Sequence, residues 1–163
     1  RQNKALFVSI NITTADVTDP DFKVFLEEEL DNAGVERQQI VLEITERSTA
    51  DHRVLKDALV RLREYGYRIA LDDFGTGYSN LDYLSKLSFD FIKIDKIFTD
   101  AIGTESVSFN MLKMMLEMLT HTGATIIVEG IEEQPQADFL LSHSPTVVGQ
   151  GWLYGRPVEV EKL

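Results

Sequence analysis

Cysteine is missing from this chain altogether. Disulfide bonds and thiolate metal sites are therefore excluded. Positive charge is scarce: 16 Lys and Arg face 27 Asp and Glu, a net charge of -11. That balance disfavours non-specific binding to DNA, RNA or an anionic membrane surface. It stays compatible with a small anionic ligand, because bound metal ions invert a local field. No uncharged apolar run approaches the length of a membrane span, and no signal peptide is visible. The fingerprint G-x-G-x-x-G does not follow the first strand-like run, which weakens a dinucleotide-binding reading. His52, His121 and His143 show no ligand spacing and read as surface or helix residues. What is present, 163 residues with 44% hydrophobic and 26% charged, matches one soluble globular domain with a real core. The chain begins at Arg1 without a methionine, so a fragment is expected, with room for an anchor or sensor domain in a longer parent.

Order along the chain alternates between two periods. Apolar, β-branched runs predict buried strands at "ALFVSIN", "IVLEIT", "YRIALD", "FDFIKID", "ATIIVEG" and, more weakly, "TVVGQGW". Helical spacing predicts helices between them. Asp21 to Ala33 carries Phe22, Phe25, Leu26 and Leu30, and Asp51 to Tyr65 carries Val54, Leu55, Ala58, Leu59 and Leu62. Glu105 to Thr122 carries Val107, Phe109, Leu112, Met115, Leu116 and Leu119; shorter helices are expected at Asn80 to Lys86 and Pro135 to Leu141. Gly34, Gly66 and Gly123 stand where left-handed helix caps belong. Strands buried on both faces and separated by helices imply a parallel sheet of βα units. An open doubly wound sheet and a β/α barrel fit this pattern equally. All four methionines fall in the helix from Glu105; packing against the sheet is the plainer reading, and a partner-binding face the other.

In parallel α/β proteins, chemistry gathers at the carboxyl ends of the strands. Those ends carry Asn11, Glu43, Asp72 with Asp73, Lys93 with Asp95, Glu129 and Gln150. A convergence of carboxylate and amide oxygens suits Mg²⁺ or Mn²⁺ better than zinc. Two adjacent aspartates repel each other and serve two ions about 4 Å apart if one of them bridges. Lys93 adds a cation able to meet a phosphate oxygen or lower the pKa of a nearby water. Plainer roles exist for each residue. Asp73 also fits a helix cap and Asn11 an Asx-turn or cap before Thr13, while Glu46, three residues after Glu43, fits a structural hydrogen-bond partner as well as a ligand. A simple Lys93–Asp95 salt bridge and a Gln150 that satisfies a glycine turn are the others.

In combination these stretches are specific. "VSINIT", "LEITE", "LDDFGTGYSNL", "IKID", "VEGIE" and "GQGWLYGRP" resemble, in order and spacing, the EAL family of bacterial phosphodiesterases for cyclic di-GMP. The resemblance covers nearly the whole chain. It implies an α/β fold of the TIM-like (β/α) barrel type, with residues 1–163 as one EAL domain truncated at its N-terminus. It also implies hydrolysis of cyclic di-GMP to linear pGpG with two Mg²⁺ or Mn²⁺ ions. On this resemblance Asn11, Glu43 and Asp72 are ligands of a first metal, and Asp72 bridges to a second held by Asp73 and Glu129. Lys93 and Glu129 assist deprotonation of the attacking water. Glu46 holds the loop Phe74 to Asn80, a mobile link between metal binding and dimer contacts. Gln150, Asp95 and Glu132 stand around the substrate. A homodimer, further signalling domains in the parent, a cytoplasmic domain and a parent anchored in the inner membrane are the accompanying expectations, with no DNA partner.

Two departures from the family pattern stand out. The Glu-Ala-Leu segment that names the family, whose glutamate is normally a first-metal ligand, precedes the "SIN" strand and is absent, as are the first barrel strand and the arginine that follows the segment. The stretch "LLSHSPTVVGQGW" replaces the usual glycine-containing turn and "D-Y-V-Q-G-Y-x-F", which bears on Gln150. Two further functions compete with catalysis. One is a cyclic di-GMP sensor that does not cleave; the other is a scaffold that uses the helix from Glu105 to Thr122.

Overall fold

The strand predicted at "IVLEIT" forms over Ile40–Thr45, its first five residues all buried. Strands buried on both faces belong to parallel sheets covered by helices, and that is the local arrangement here. The computed structural model describes residues 6–45, 52–76, 81–144 and 146–159. They belong to two compact units, 1–91 and 92–163, which are treated in turn.

In the first unit β1 (Val8–Asn11), β2 (Ile40–Thr45) and β3 (Arg68–Phe74) lie side by side in chain order. Both pairings are parallel, with Asn11 opposite Glu43 and Thr45 opposite Asp72. The interior is made by Val41, Leu42, Ile44, Ile69 and Leu71 of the strands and Leu55, Leu59 and Leu62 of the covering helix. Helix α1 (Thr14–Thr18), not anticipated from periodicity, is nucleated by a capping box. Asp16 Oδ2 accepts from the Thr13 N–H at 2.7 Å, and the Asp16 N–H donates to Thr13 Oγ1 at 3.2 Å. Thr13, not Asn11, is thus the cap. Helix α2 (Pro20–Ala33) starts from Asp19 with Pro20 in its first turn and stops at Gly34 with φ 66°. Leu26 and Leu30 are its buried stripe; Phe25 is 61% exposed, one residue off that stripe and so about 100° around the helix.

Helix α3 (His52–Glu64) and the short α4 (Leu81–Lys86) complete the unit. A turn of 3₁₀ helix at Arg37–Gln39 carries Arg37 back to α2. There the Arg37 Nε–H donates to Glu27 Oε1 at 2.8 Å, and the Tyr67 hydroxyl donates to the same oxygen at 2.6 Å. Hydrogen bonding from Arg37 holds the Glu27 carboxyl below its ordinary value. Burial, then Glu27, push the Tyr67 phenol up.

The second unit runs β4 (Phe91–Ile94, from the boundary), α5 (Lys96–Thr99), α6 (Val107–Leu119), β5 (Thr125–Val128), α7 (Gln134–His143) and β6 (Val148–Gly149). The strands follow chain order, and β5 and β6 pair in parallel through Ile127 with Val148. Leu112, Met115, Leu116 and Leu119 turn α6 onto the core beside Ile92, Ile94 and Val128. Val107 is 74% exposed in the first turn, and of the four methionines only Met115 is buried. The packed-helix reading therefore accounts for Met115, while Met111 and Met114 face water. The last strand is shorter than "TVVGQGW" implies, because glycines take over its backbone. A side chain at Gly151 would collide with the Ile131 backbone, and one at Gly149 would meet Tyr154 Oη at 2.7 Å.

Candidate active site

Register decides which strand-end side chains share a face. In a strand, residues two apart point the same way, and directly opposed residues of paired strands do too. Asn11 opposes Glu43, Glu43 opposes Ala70, and Thr45 opposes Asp72. Asn11, Glu43 and Asp72 are therefore on one face of the first unit's sheet, at its carboxyl end. Glu43 is buried to 6% exposure.

Simple alternation would send Asp73 to the opposite face. Its backbone prevents that. Among the described residues it is the one non-glycine with positive φ, 55°. A left-handed residue in a strand reverses the chain locally, at a cost that persists only where the surroundings impose it. The Asp73 carbonyl accepts from both the Thr76 N–H (3.2 Å) and Thr76 Oγ1 (2.9 Å), which closes the turn. As a result Asp72 and Asp73 each bring a carboxylate oxygen within 4.8 Å of the other. That is a spacing two cations can use, and like charges so close call for a cation. The donors are hard oxygens of carboxylate and amide, the set that fits Mg²⁺ or Mn²⁺.

The second unit holds a lysine and a glutamate as a pair. Lys93, on β4 and 7% exposed, places Nζ 2.9 Å from Glu129 Oε1 at the end of β5. Glu129 is braced from behind. Its N–H donates to the Ile94 carbonyl at 3.0 Å, and its own carbonyl accepts from Thr99 Oγ1 at 2.6 Å. Thr99 is fully buried, and its carbonyl in turn accepts from Gln136 Nε2 at 3.3 Å. Asp95 caps α5 by accepting from the Ile97 N–H at 2.8 Å. Glu132 pairs with Lys96 at 2.5 Å and raises the lysine's pKa. Gln150 is tied by its main chain, donating to the Val128 carbonyl (2.9 Å) and accepting from the Ile131 N–H (3.0 Å), while its side chain is exposed. Glu46 and the loop beyond Thr76 lie outside the described residues. Thr99 and Lys96 are contributors that sequence reasoning missed; nothing in their local pattern marks them.

The family model described as "EAL domain" matches residues 1–157. The chain belongs to the EAL family. It is 37% identical over 161 residues to "Probable cyclic di-GMP phosphodiesterase PdeB" of Escherichia coli (strain K12), covering 99% of this chain and 30% of that protein. The EAL enzyme Bd1971, solved with cAMP and cyclic di-GMP bound, superposes with a TM-score of 0.88 at 34% identity, over 96% of this chain and 41% of that one. Klebsiella pneumoniae BlrP1, solved as a manganese and cyclic di-GMP complex, gives a TM-score of 0.83 at 28% identity, over 93% and 39%. The EAL chain thus has the α/β, TIM-like barrel class expected of it, and spans about a third of the length of the curated relative. No helix among the described residues is long and apolar enough to cross a membrane.

Proposed function

We propose that this EAL chain is the catalytic domain, residues 1–163, of a metal-dependent phosphodiesterase that opens cyclic di-GMP to linear pGpG. The observation that carries the reading is the Asp72–Asp73 pair, held with its carboxylates together by a left-handed aspartate. Asn11, Glu43 and Asp72 would hold one Mg²⁺ or Mn²⁺, and Asp72, Asp73 and Glu129 a second. Bound there, the ions supply charge neutralisation for a phosphate and acidify a water.

The chain's own residues supply the rest. Glu129 and Lys93 assist deprotonation of the attacking water, and the ion pair between them holds the carboxylate in place. The water oxygen bonds to phosphorus while the bond from phosphorus to the leaving sugar oxygen breaks, and that oxygen takes a proton from solvent as it departs. Gln150, Asp95 and Glu132 contact the nucleotide, and Glu46 holds the loop after Thr76. A homodimer, further signalling domains in the parent protein, and a cytoplasmic position for this domain under a parent anchored in the inner membrane complete the proposal, with no DNA partner.

The test is conversion of cyclic di-GMP to pGpG by the full-length parent with Mg²⁺ or Mn²⁺, beside its Asp72→Asn variant. Turnover by the parent and its loss in the variant are expected. Binding of cyclic di-GMP by the parent with no turnover under either metal would overturn catalysis in favour of a sensor.

A further inference from the structure

Glu129 is restrained at three points, all from the stretch Lys93 to Thr99. Its carboxylate meets Lys93 Nζ at 2.9 Å, its N–H donates to the Ile94 carbonyl at 3.0 Å, and its carbonyl accepts from Thr99 Oγ1 at 2.6 Å. Anchoring the N–H and the carbonyl together fixes the backbone on either side of Cα, and with it the direction of the bond that carries the carboxylate. The carbonyl anchor matters because Gly130 follows at φ 72°, and a glycine resists rotation of the joining peptide unit least of all residues. Helical threonines commonly turn the hydroxyl to a carbonyl three or four residues back. Thr99 is fully buried and reaches instead across 30 positions. Behind it stands Gln136 on α7. Its Nε2 donates to the Thr99 carbonyl at 3.3 Å, and its Oε1 accepts from the Glu132 N–H at 2.9 Å and the Glu133 N–H at 3.0 Å. Two N–H donors demand the oxygen of that amide and a carbonyl demands its NH₂, so its orientation is set. One side chain thus ties α5 to the far end of the loop that begins at Glu129.

We propose that Thr99 is a positioning residue for Glu129, and that Gln136 extends the same restraint to Glu132. Both act through the backbone of the loop 129–133. Thr99 sets where Glu129 presents its carboxylate, and Gln136 holds the Thr99 carbonyl on one side and the approach of Glu132 to Lys96 on the other. The assignment rests on the phosphodiesterase reading, in which Glu129 binds metal, and adds to it two residues that hold that glutamate in place.

Thr99→Val keeps the shape of the side chain and removes its donor, Thr99→Ser keeps the donor, and Gln136→Ala removes the amide. In the full-length parent, Mn²⁺ affinity is measured by calorimetry without substrate, with Asp72→Asn as the blank. Turnover of cyclic di-GMP is followed below the Tm of every variant, and Tm is recorded in EDTA. Thr99→Val should raise the Mn²⁺ Kd and lower kcat, each about tenfold or more, with KM within about twofold. Thr99→Ser should restore most of both losses. Gln136→Ala should raise KM as well, because Glu132 loses its anchor; an unchanged KM there would remove Gln136 from the assignment. A lowered Tm in Thr99→Val with wild-type Kd and kcat would show packing alone and overturn the role of Thr99, while leaving the phosphodiesterase reading intact; so would a Thr99→Ser no better than Thr99→Val. A parent that binds Mn²⁺ without turnover would overturn the phosphodiesterase reading by itself, and the Kd of Thr99→Val would still decide the positioning role. Wild-type Mn²⁺ binding no different from Asp72→Asn, with no turnover, would overturn the two together.

Discussion

Replacing Lys93 by alanine separates stability from chemistry. The ion pair with Glu129 spans 2.9 Å between side chains only 9% and 20% exposed. At that distance, with an effective dielectric constant near 20, the attraction is about 6 kcal/mol before desolvation is subtracted. Removing one member of a buried pair strands the other charge and costs about 3–5 kcal/mol. Glu129 keeps some contact with water, so the lower end, about 3 kcal/mol, is expected for the metal-free protein. For a chain of this size that is a fall in Tm of roughly 6–12 °C. The assay is calorimetric melting in EDTA, with Glu129→Gln and the double variant alongside. If the two side chains act as a pair, the double variant loses less than the sum of the single ones. Added Mn²⁺ should raise the Tm of Lys93→Ala more than that of the wild type, because the carboxylate no longer shares its charge with the ammonium. Turnover of cyclic di-GMP should nevertheless drop by about 10²–10³. A Lys93→Ala protein that melts within about 1 °C of the wild type in EDTA would refute the argument.

Two other substitutions probe the same principles elsewhere. Asp73→Gly relieves both the left-handed strain and the repulsion from Asp72, so the metal-free protein should gain about 1 kcal/mol in urea unfolding while its Mn²⁺-induced Tm shift disappears. A loss of stability would show that the turn does not strain Asp73. Glu27 is held below its ordinary pKa, 4.5, chiefly by hydrogen bonding from Arg37. A depressed carboxyl stabilises the fold above its unfolded value and ceases to do so as pH falls through the folded one. Urea midpoints of wild type and Glu27→Gln should therefore differ most above about pH 4.5 and converge in more acidic solution; a constant gap across that range would contradict the pairing.

Much of the architecture was legible in residue order, for reasons that are local. A strand covered on both faces reads as an unbroken β-branched run, so "IVLEIT" marks Ile40–Thr45 without help from its neighbours. Gly34 marks the end of α2 because it alone adopts the left-handed cap there without strain. Polar residues that interrupt such runs at their carboxyl ends identified Asn11, Glu43, Asp72, Asp73, Lys93 and Glu129 as candidates. The phase of individual helices was less legible. Phe25 and Val107 fit an apolar pattern, yet which face is covered depends on the element packed against it.

Pairing between distant residues was decided only in three dimensions. From the sequence, Asp95 was as good a partner for Lys93 as any; the structure gives Lys93 to Glu129, 36 positions away, and uses Asp95 to cap α5. Thr99 supports the Glu129 carbonyl from a helix that periodicity did not reveal. The stretch that names Asp72 and Asp73 gives no sign that the second of them is left-handed, because φ is set by the turn closed on Thr76. Residue order therefore determined which chemistry this protein carries, since oxygen donors and a lysine are properties of side chains. Only the tertiary structure decided which of them meet, because register, helix phase and a single reversed backbone angle arise from contacts that adjacent residues do not contain.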